Sequence, residues 1–187
     1  MIRLIIATSF SCLILRGQQK YFQSITMNLS RSNHQEQKVD YTDNTTPFGG
    51  ILRGELPALI FGETPSALAF EDKRPRAELH ALVIPKKHIK SVRELTKKDV
   101  GLMEEIYDVA TKLIQSRFPR AYKEEDYILC FHIPPFNSVD HLHLHVLAPA
   151  SKMKWIYRYG KYLEGTLWCA SGLKILQRLK AGKSAVP

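Results

Sequence analysis

The chain has 187 residues, 44% of them hydrophobic and 24% charged, which fits a folded aqueous domain with room for tails. Cys12, Cys130 and Cys169 lie far apart with no CxxC pair, which argues against a disulfide scaffold and against a cysteine zinc finger. The net charge of +9 sits at the ends: residues 1–38 carry +4, residues 39–150 carry −2 and residues 151–187 carry +7. A basic surplus of this kind describes tails rather than a nucleic-acid-binding core.

Residues 4–15 are apolar but broken by Thr8, Ser9 and Ser11, and fall short of the roughly 18 residues a membrane span needs. Residues 16–33 are Ser-rich, hold Arg16, Lys20 and Arg31, and contain no acid. That composition fits a mitochondrial presequence; the alternatives are an unstructured extension or an upstream segment bypassed by starting at Met27. A secretory signal lacks its small-residue cleavage pattern after Leu15.

From residue 48 onward, strand and helix periods alternate. Gly49, Gly50 and Gly54 punctuate a short segment, and strands are expected over 56–61, 67–71 and 79–84, separated by Glu63-Thr64-Pro65 and Lys73-Arg74-Pro75. Thr96-Lys97-Lys98-Asp99 has the form of a capping box with Asp in place of Glu. The helix it opens, near 97–118, carries Met103, Ile106, Tyr107, Ala110, Leu113 and Ile114 at 3–4 spacing until Pro119 stops it. Further strands are expected over 127–131 and 141–147. One long helix among about five short strands predicts an α+β domain with a mainly antiparallel sheet, occupying residues 46–150. After Pro149 comes a basic aromatic tail, 151–187, with Trp155, Tyr157, Tyr159, Tyr162 and Trp168. It ends in a helical tail near 167–179 and is expected to pack on the domain or on a second subunit.

Chemistry concentrates at His141-Leu142-His143-Leu144-His145. On a strand, alternate residues share a face, so three imidazoles would line one side while Leu142, Leu144 and Val146 take the other. Three buried imidazoles without a task would leave up to about six ring nitrogens needing partners. A strand would spread them over about 13 Å, too far for one ion with ligands at about 2 Å. That row suits a reacting imidazole flanked by positioning groups, and a neutral imidazole nucleophile is available near pH 7.

The pattern His-φ-His-φ-His-φ-φ (φ apolar) resembles the signature of the histidine triad family of nucleotide hydrolases and transferases. Residues 70–89, running from Phe70-Glu71-Asp72 through His80 to Lys86-Lys87-His88-Ile89, are similar to that family's second block. Phe131-His132-Ile133-Pro134-Pro135-Phe136-Asn137-Ser138 and Leu147-Ala148-Pro149 are most similar to its third type of nucleotide-binding protein. The resemblance covers roughly 46–180. It implies a histidine-triad α+β fold, a homodimer, and hydrolysis of the P–N bond of adenosine 5′-phosphoramidates and acyl-adenylates, releasing AMP through an adenylyl-histidine. Residue by residue it implies His143 as nucleophile, His145 at the phosphate, and His141 and His80 as orienting partners. It further implies Ser138 near the phosphate and leaving group, and Asp72 at the ribose hydroxyls, with Lys73 and Asn137 beside the nucleotide.

The alternatives are hydrolysis of diadenosine polyphosphates or of adenylated DNA ends, and a non-catalytic nucleotide-binding or scaffolding role. No cofactor is expected and nucleic acid is not the expected partner. The family implies a cytoplasmic or nuclear setting, against the mitochondrial hint of residues 1–38. Three departures stand out. Thr46-Pro47-Phe48-Gly49 replaces a zinc-binding CxxC, so no structural metal is expected; Lys73 replaces an apolar residue of the nucleoside pocket; and Pro134-Pro135 replaces a Gly-rich turn. His88 reads as a surface residue.

Overall fold

The computed structural model describes residues 41–186, so the extension 1–38 and the targeting expectation attached to it lie outside the described residues. Helix α1 (Pro47–Leu52) is followed by strands β1 (Ile60–Glu63), β2 (Ala67–Glu71) and β3 (Leu79–Pro85). Helix α2 (Val100–Arg117) and the short α3 (Pro119–Lys123) lead to β4 (Ile128–His132) and β5 (Leu144–Ala148). A π-helical turn (Ile156–Lys161), strand β6 (Cys169–Ser171) and helix α4 (Gly172–Lys180) close the chain. The strands form one sheet in the order β1-β2-β3-β5-β4-β6, with every pairing antiparallel. The expected α+β architecture is therefore present, with its long helix and C-terminal helix.

Register decides which side chains meet. Leu82 pairs with His145 and with Phe70, and Cys130 also pairs with His145, so these residues share one face of the sheet. The opposite face carries Ala67, Ala69, Ala81, Val83, Leu144 and Val146, and packs against α2 and α4 in the main core. On the histidine face, two smaller apolar clusters flank the imidazoles. Phe48 of α1 covers Leu68, Phe70, Leu82 and Ile84 on one side, and Tyr162 covers Cys130, Leu147 and Cys169 on the other. The site thus lies in a gap between two apolar caps on one sheet.

The long helix starts as its sequence predicts. Asp99 Oδ2 accepts the Thr96 N–H at 2.9 Å, and Thr96 Oγ1 caps the turn that feeds α2. Met103, Ile106, Ala110, Leu113 and Ile114 are buried, and Pro119, which stops α2, stands at the first position of α3.

Four boundaries differ from expectation. The ladder of β1 begins at Ile60, not at 56, because Pro57 has no N–H to give; Leu56 and Leu59 stay exposed. Strand β5 begins at Leu144, not at 141, because the Leu142 N–H bonds to Ile89 O at 2.7 Å and turns the chain out of the ladder. Residues 169–171 join β4 as an edge strand, so the terminal helix starts only at Gly172. Residues 47–52 form a helix where the glycines read as punctuation.

Gly49 is required in that helix by contact, since a Cβ there would lie 2.0 Å from the carbonyl oxygen of Asn44. Gly49→Ala is expected to destabilise the domain by about 1–3 kcal/mol through overpacking. Urea unfolding checks this, and an unchanged midpoint would contradict it.

Candidate active site

His141 and His143 sit in the bend before β5, and only His145 lies on the strand. The even row expected from strand geometry is therefore broken: the His143 and His145 rings stand 5.0 Å apart, while the His141 ring turns to partners of its own. All three histidines are buried, as is His80 on β3.

The hydrogen bonds assign each proton. His143 Nδ1 lies 2.6 Å from the His141 carbonyl oxygen, which can only accept, so Nδ1 carries the hydrogen and Nε2 keeps the lone pair. His141 Nε2 donates to Pro85 O at 2.9 Å, and its Nδ1 accepts from Asn44 Nδ2 at 2.8 Å. On the other side, the Arg76 backbone N–H donates to His80 Nδ1 at 3.2 Å, so His80 must carry its hydrogen on Nε2. That hydrogen goes to His145 Nδ1 at 3.0 Å, which leaves His145 with its own hydrogen on Nε2. Among the described residues His145 Nε2 is the buried side-chain nitrogen with no partner. The two central imidazoles are thus of opposite character, a lone pair on His143 and an N–H on His145.

Burial keeps all of these rings neutral. It pulls His80 and His141 from the ordinary 6.5 down to about 4, with the Asp72 charge partly opposing the shift at His80. His143 and His145 are lowered by burial too, His145 strongly, with the neighbouring histidines adding to the effect. A neutral His143 at pH 7 is what a nitrogen nucleophile requires.

His143 and His145 open onto a cleft of about 690 Å³, a size suited to a small ligand. Its far wall is apolar, formed by Phe48, Ile51, Leu56, Leu59, Phe70 and Leu82, and its rim holds Asp72, Lys73 and Ser138. Phe48 also meets the His143 ring edge-on at 5.3 Å and so braces it. Asp72 accepts the Arg74 N–H at 2.7 Å through Oδ1, while Oδ2 lies 3.4 Å from His80 Nε2. Of the expected site residues, His80, His143, His145, Asp72, Lys73 and Ser138 come together at the cleft or directly behind it. Asn137 is set apart, since its amide is spent on Val139 O and Asp140 Oδ1 within its own loop. His88 is exposed and donates to Asp140 O at 2.8 Å.

Asn44, which fixes the tautomer of His141, lies in a turn with no pattern in the sequence to mark it. His132, buried at the end of β4 with its ring 4.6 Å from that of His145, was also not anticipated. Its strand is legible, but not that β4 and β5 are neighbours. Tyr162 completes the enclosure, its ring 5.2–5.6 Å from those of His145, His132 and His80.

Two donor groups among the described residues are close enough to consider for a metal: His132, His143 and His145, and Asp72, His80 and His145, each with donor atoms within 4.8 Å of one another. The proton pattern fits neither. His145 presents an N–H at Nε2, and its Nδ1 already receives the hydrogen of His80. The place of the family's zinc thiols does not fit either. Thr46 Oγ1 is occupied with Asn44 Oδ1 at 2.7 Å, and Gly49 has no space even for a Cβ. An N–H beside a neutral imidazole lone pair suits an anionic oxygen such as that of a phosphate.

Residues 45–159 match the family described as scavenger mRNA decapping enzyme C-term binding. The chain is 38% identical over 118 residues to adenosine 5′-monophosphoramidase HINT3 of Xenopus tropicalis, covering 61% of this chain and 72% of the relative. It is 36% identical over 110 residues to the bifunctional adenosine 5′-phosphosulfate phosphorylase/adenylylsulfatase HINT4 of Arabidopsis thaliana, covering 58% of this chain and 73% of the relative. Among solved structures it is similar to a HIT family hydrolase from Legionella pneumophila Philadelphia 1, with 38% identity and a TM-score of 0.50, covering 55% of this chain and 90% of that one. A neutral imidazole with a free lone pair on an antiparallel α+β sheet, beside a second imidazole that donates, is an arrangement that could transfer a group through nitrogen. The chain belongs to the histidine triad family.

Proposed function

We propose that this protein hydrolyses the P–N bond of adenosine 5′-phosphoramidates, and related acyl-adenylates, releasing AMP. The observation that carries this reading is the pairing of a lone pair on His143 Nε2 with an N–H on His145 Nε2 at the mouth of one cleft. The lone pair of His143 Nε2 bonds to the α-phosphorus, and the P–N bond breaks with its electron pair on the leaving nitrogen, which takes up a proton and departs as the amine. The His143 ring is then cationic, and the His141 carbonyl at its Nδ1–H stabilises that charge. His145 Nε2–H donates to a phosphate oxygen as charge builds there. Water next adds to phosphorus and loses a proton, the imidazole leaves with its electrons, and AMP is free. The apolar wall receives the base, Asp72 takes the ribose hydroxyls, and Ser138 and Lys73 stand at the phosphate side. Asn137 acts by holding the loop that carries Ser138.

The names of the HINT3 relatives support this choice of substrate. The test is release of AMP from an adenosine 5′-phosphoramidate by purified, folded protein. A folded protein that binds AMP yet releases none from any amide or acyl-adenylate would instead favour a binding role.

The homodimer belongs to the same proposal. The outer edge of β4 is filled by the chain's own β6, so a sheet shared between two copies would join through β6 or β1. Trp155, Ile156, Tyr159, Leu163 and Leu167 are exposed on the C-terminal segment, an apolar strip that such a contact would cover. In this reading residues 46–150 carry the histidines, and residues 151–187 supply Tyr162, β6 and α4. Among the described residues no helix is long and apolar enough to cross a membrane.

A further inference from the structure

His132 lies beside the cleft and not in its lining: with Asn137, Val139 and His143 it borders a small adjoining hollow, and the reaction above gives it no task. It closes β4, is buried, and meets His145 edge-on. One of its ring nitrogens lies within 4.8 Å of a nitrogen of His143 and of a nitrogen of His145. Its Nε2 lies 3.2 Å from the Lys161 carbonyl oxygen, at the end of the π-helical turn. A carbonyl only accepts, so Nε2 carries the hydrogen. Burial keeps the ring neutral, pulling it from 6.5 to about 4. With Nε2 spent on Lys161, what His132 has left for a ligand is the lone pair of Nδ1.

An acceptor in that place repels phosphate oxygens, which His145 already serves with its N–H. It suits a substituent on phosphorus that brings a hydrogen of its own. In an AMP-amide that substituent is the leaving group. We propose that His132 accepts a hydrogen bond from the leaving-group N–H, so that the site selects phosphoramidates with at least one hydrogen on nitrogen over N,N-disubstituted amides. The selection rests on the phosphoramidase reading and adds to it a substrate class. His132 is then a specificity residue, held in its tautomer by a main-chain carbonyl of the C-terminal segment.

The experiment compares kcat/KM for an N-alkyl amide of AMP with that for the matching N,N-dialkyl amide, in wild type, His132→Leu and His132→Gln. Wild type is expected to favour the N–H substrate. His132→Leu is expected to lose about tenfold on that substrate and little on the other, the size of one hydrogen bond. His132→Gln, whose amide can both donate to Lys161 O and accept from the substrate, is expected to restore part of the preference. Equal losses on both amides in His132→Leu would mark a merely structural role, and no loss on either would also overturn the proposal. Wild type active on both amides without preference would overturn the selection alone. Wild type inactive on both, although folded by urea unfolding, would overturn the phosphoramidase reading and the selection with it.

Discussion

Replacing His143 by alanine is expected to lower AMP release from a phosphoramidate by about 10⁴-fold or more, because the bond to phosphorus then has no nitrogen to form it. The other two imidazoles of the triad cannot substitute. His145 turns an N–H, not a lone pair, toward the cleft, and both nitrogens of His141 are occupied. The apolar slot formed by Phe48, Ile51 and Phe70 loses only the edge contact of Phe48 with the His143 ring, so AMP affinity should fall far less than turnover. Mass spectrometry of wild type quenched during turnover should show one adenylyl group added, and that adduct should be absent from His143→Ala. Residual turnover within tenfold of wild type would sink the nucleophile assignment.

Acid is expected to unfold this domain between pH 6.5 and about 4. His80, His132 and His141 are held neutral by burial until about 4, whereas the unfolded chain takes up protons near the ordinary 6.5. Between those values the unfolded state binds more protons, so stability is full above 6.5 and is lost as pH falls. Each such histidine contributes about 1.4 kcal/mol per pH unit, so three together remove about 4 kcal/mol per unit. A domain with about 5–15 kcal/mol to lose would be exhausted within roughly one to four units. His143 and His145 act in the same direction. Urea midpoints measured from pH 7 to pH 4 check this, and a flat profile would contradict it. Within the folded range, the acid limb of kcat/KM should lie below 6.5, because His143 itself is lowered.

What the sequence made legible was local. The capping box at Thr96, the 3–4 spacing of α2 and the apolar runs of β2 and β3 between turn residues are each set by neighbours a few residues away, and they appear in the structure at nearly the expected positions. The triad was visible because three histidines at alternate positions are costly without a use. What stayed hidden was set by long-range contacts. Asn44 reaches His141 across 97 residues, His132 meets His145 only because β4 lies beside β5, and the bend at 141–143 follows from an N–H captured by Ile89. The α1 helix was masked by Gly49 and Gly50, where the absent side chain that reads as a breaker is what allows Asn44 to approach. A strand of three residues such as β6 carries too little alternation to be seen.

The proton on His145 traces back through His80 to the main-chain amide of Arg76. A peptide N–H neither titrates nor changes when the side chain is replaced. The polarity of the cleft is therefore inherited from the backbone, while the Arg76 side chain serves a separate end, donating to the Tyr157 hydroxyl at 2.7 Å and lying over its ring. Proline, the one natural residue with no amide hydrogen, would remove the anchor, free His80 to change tautomer, and let the donor at His145 become an acceptor.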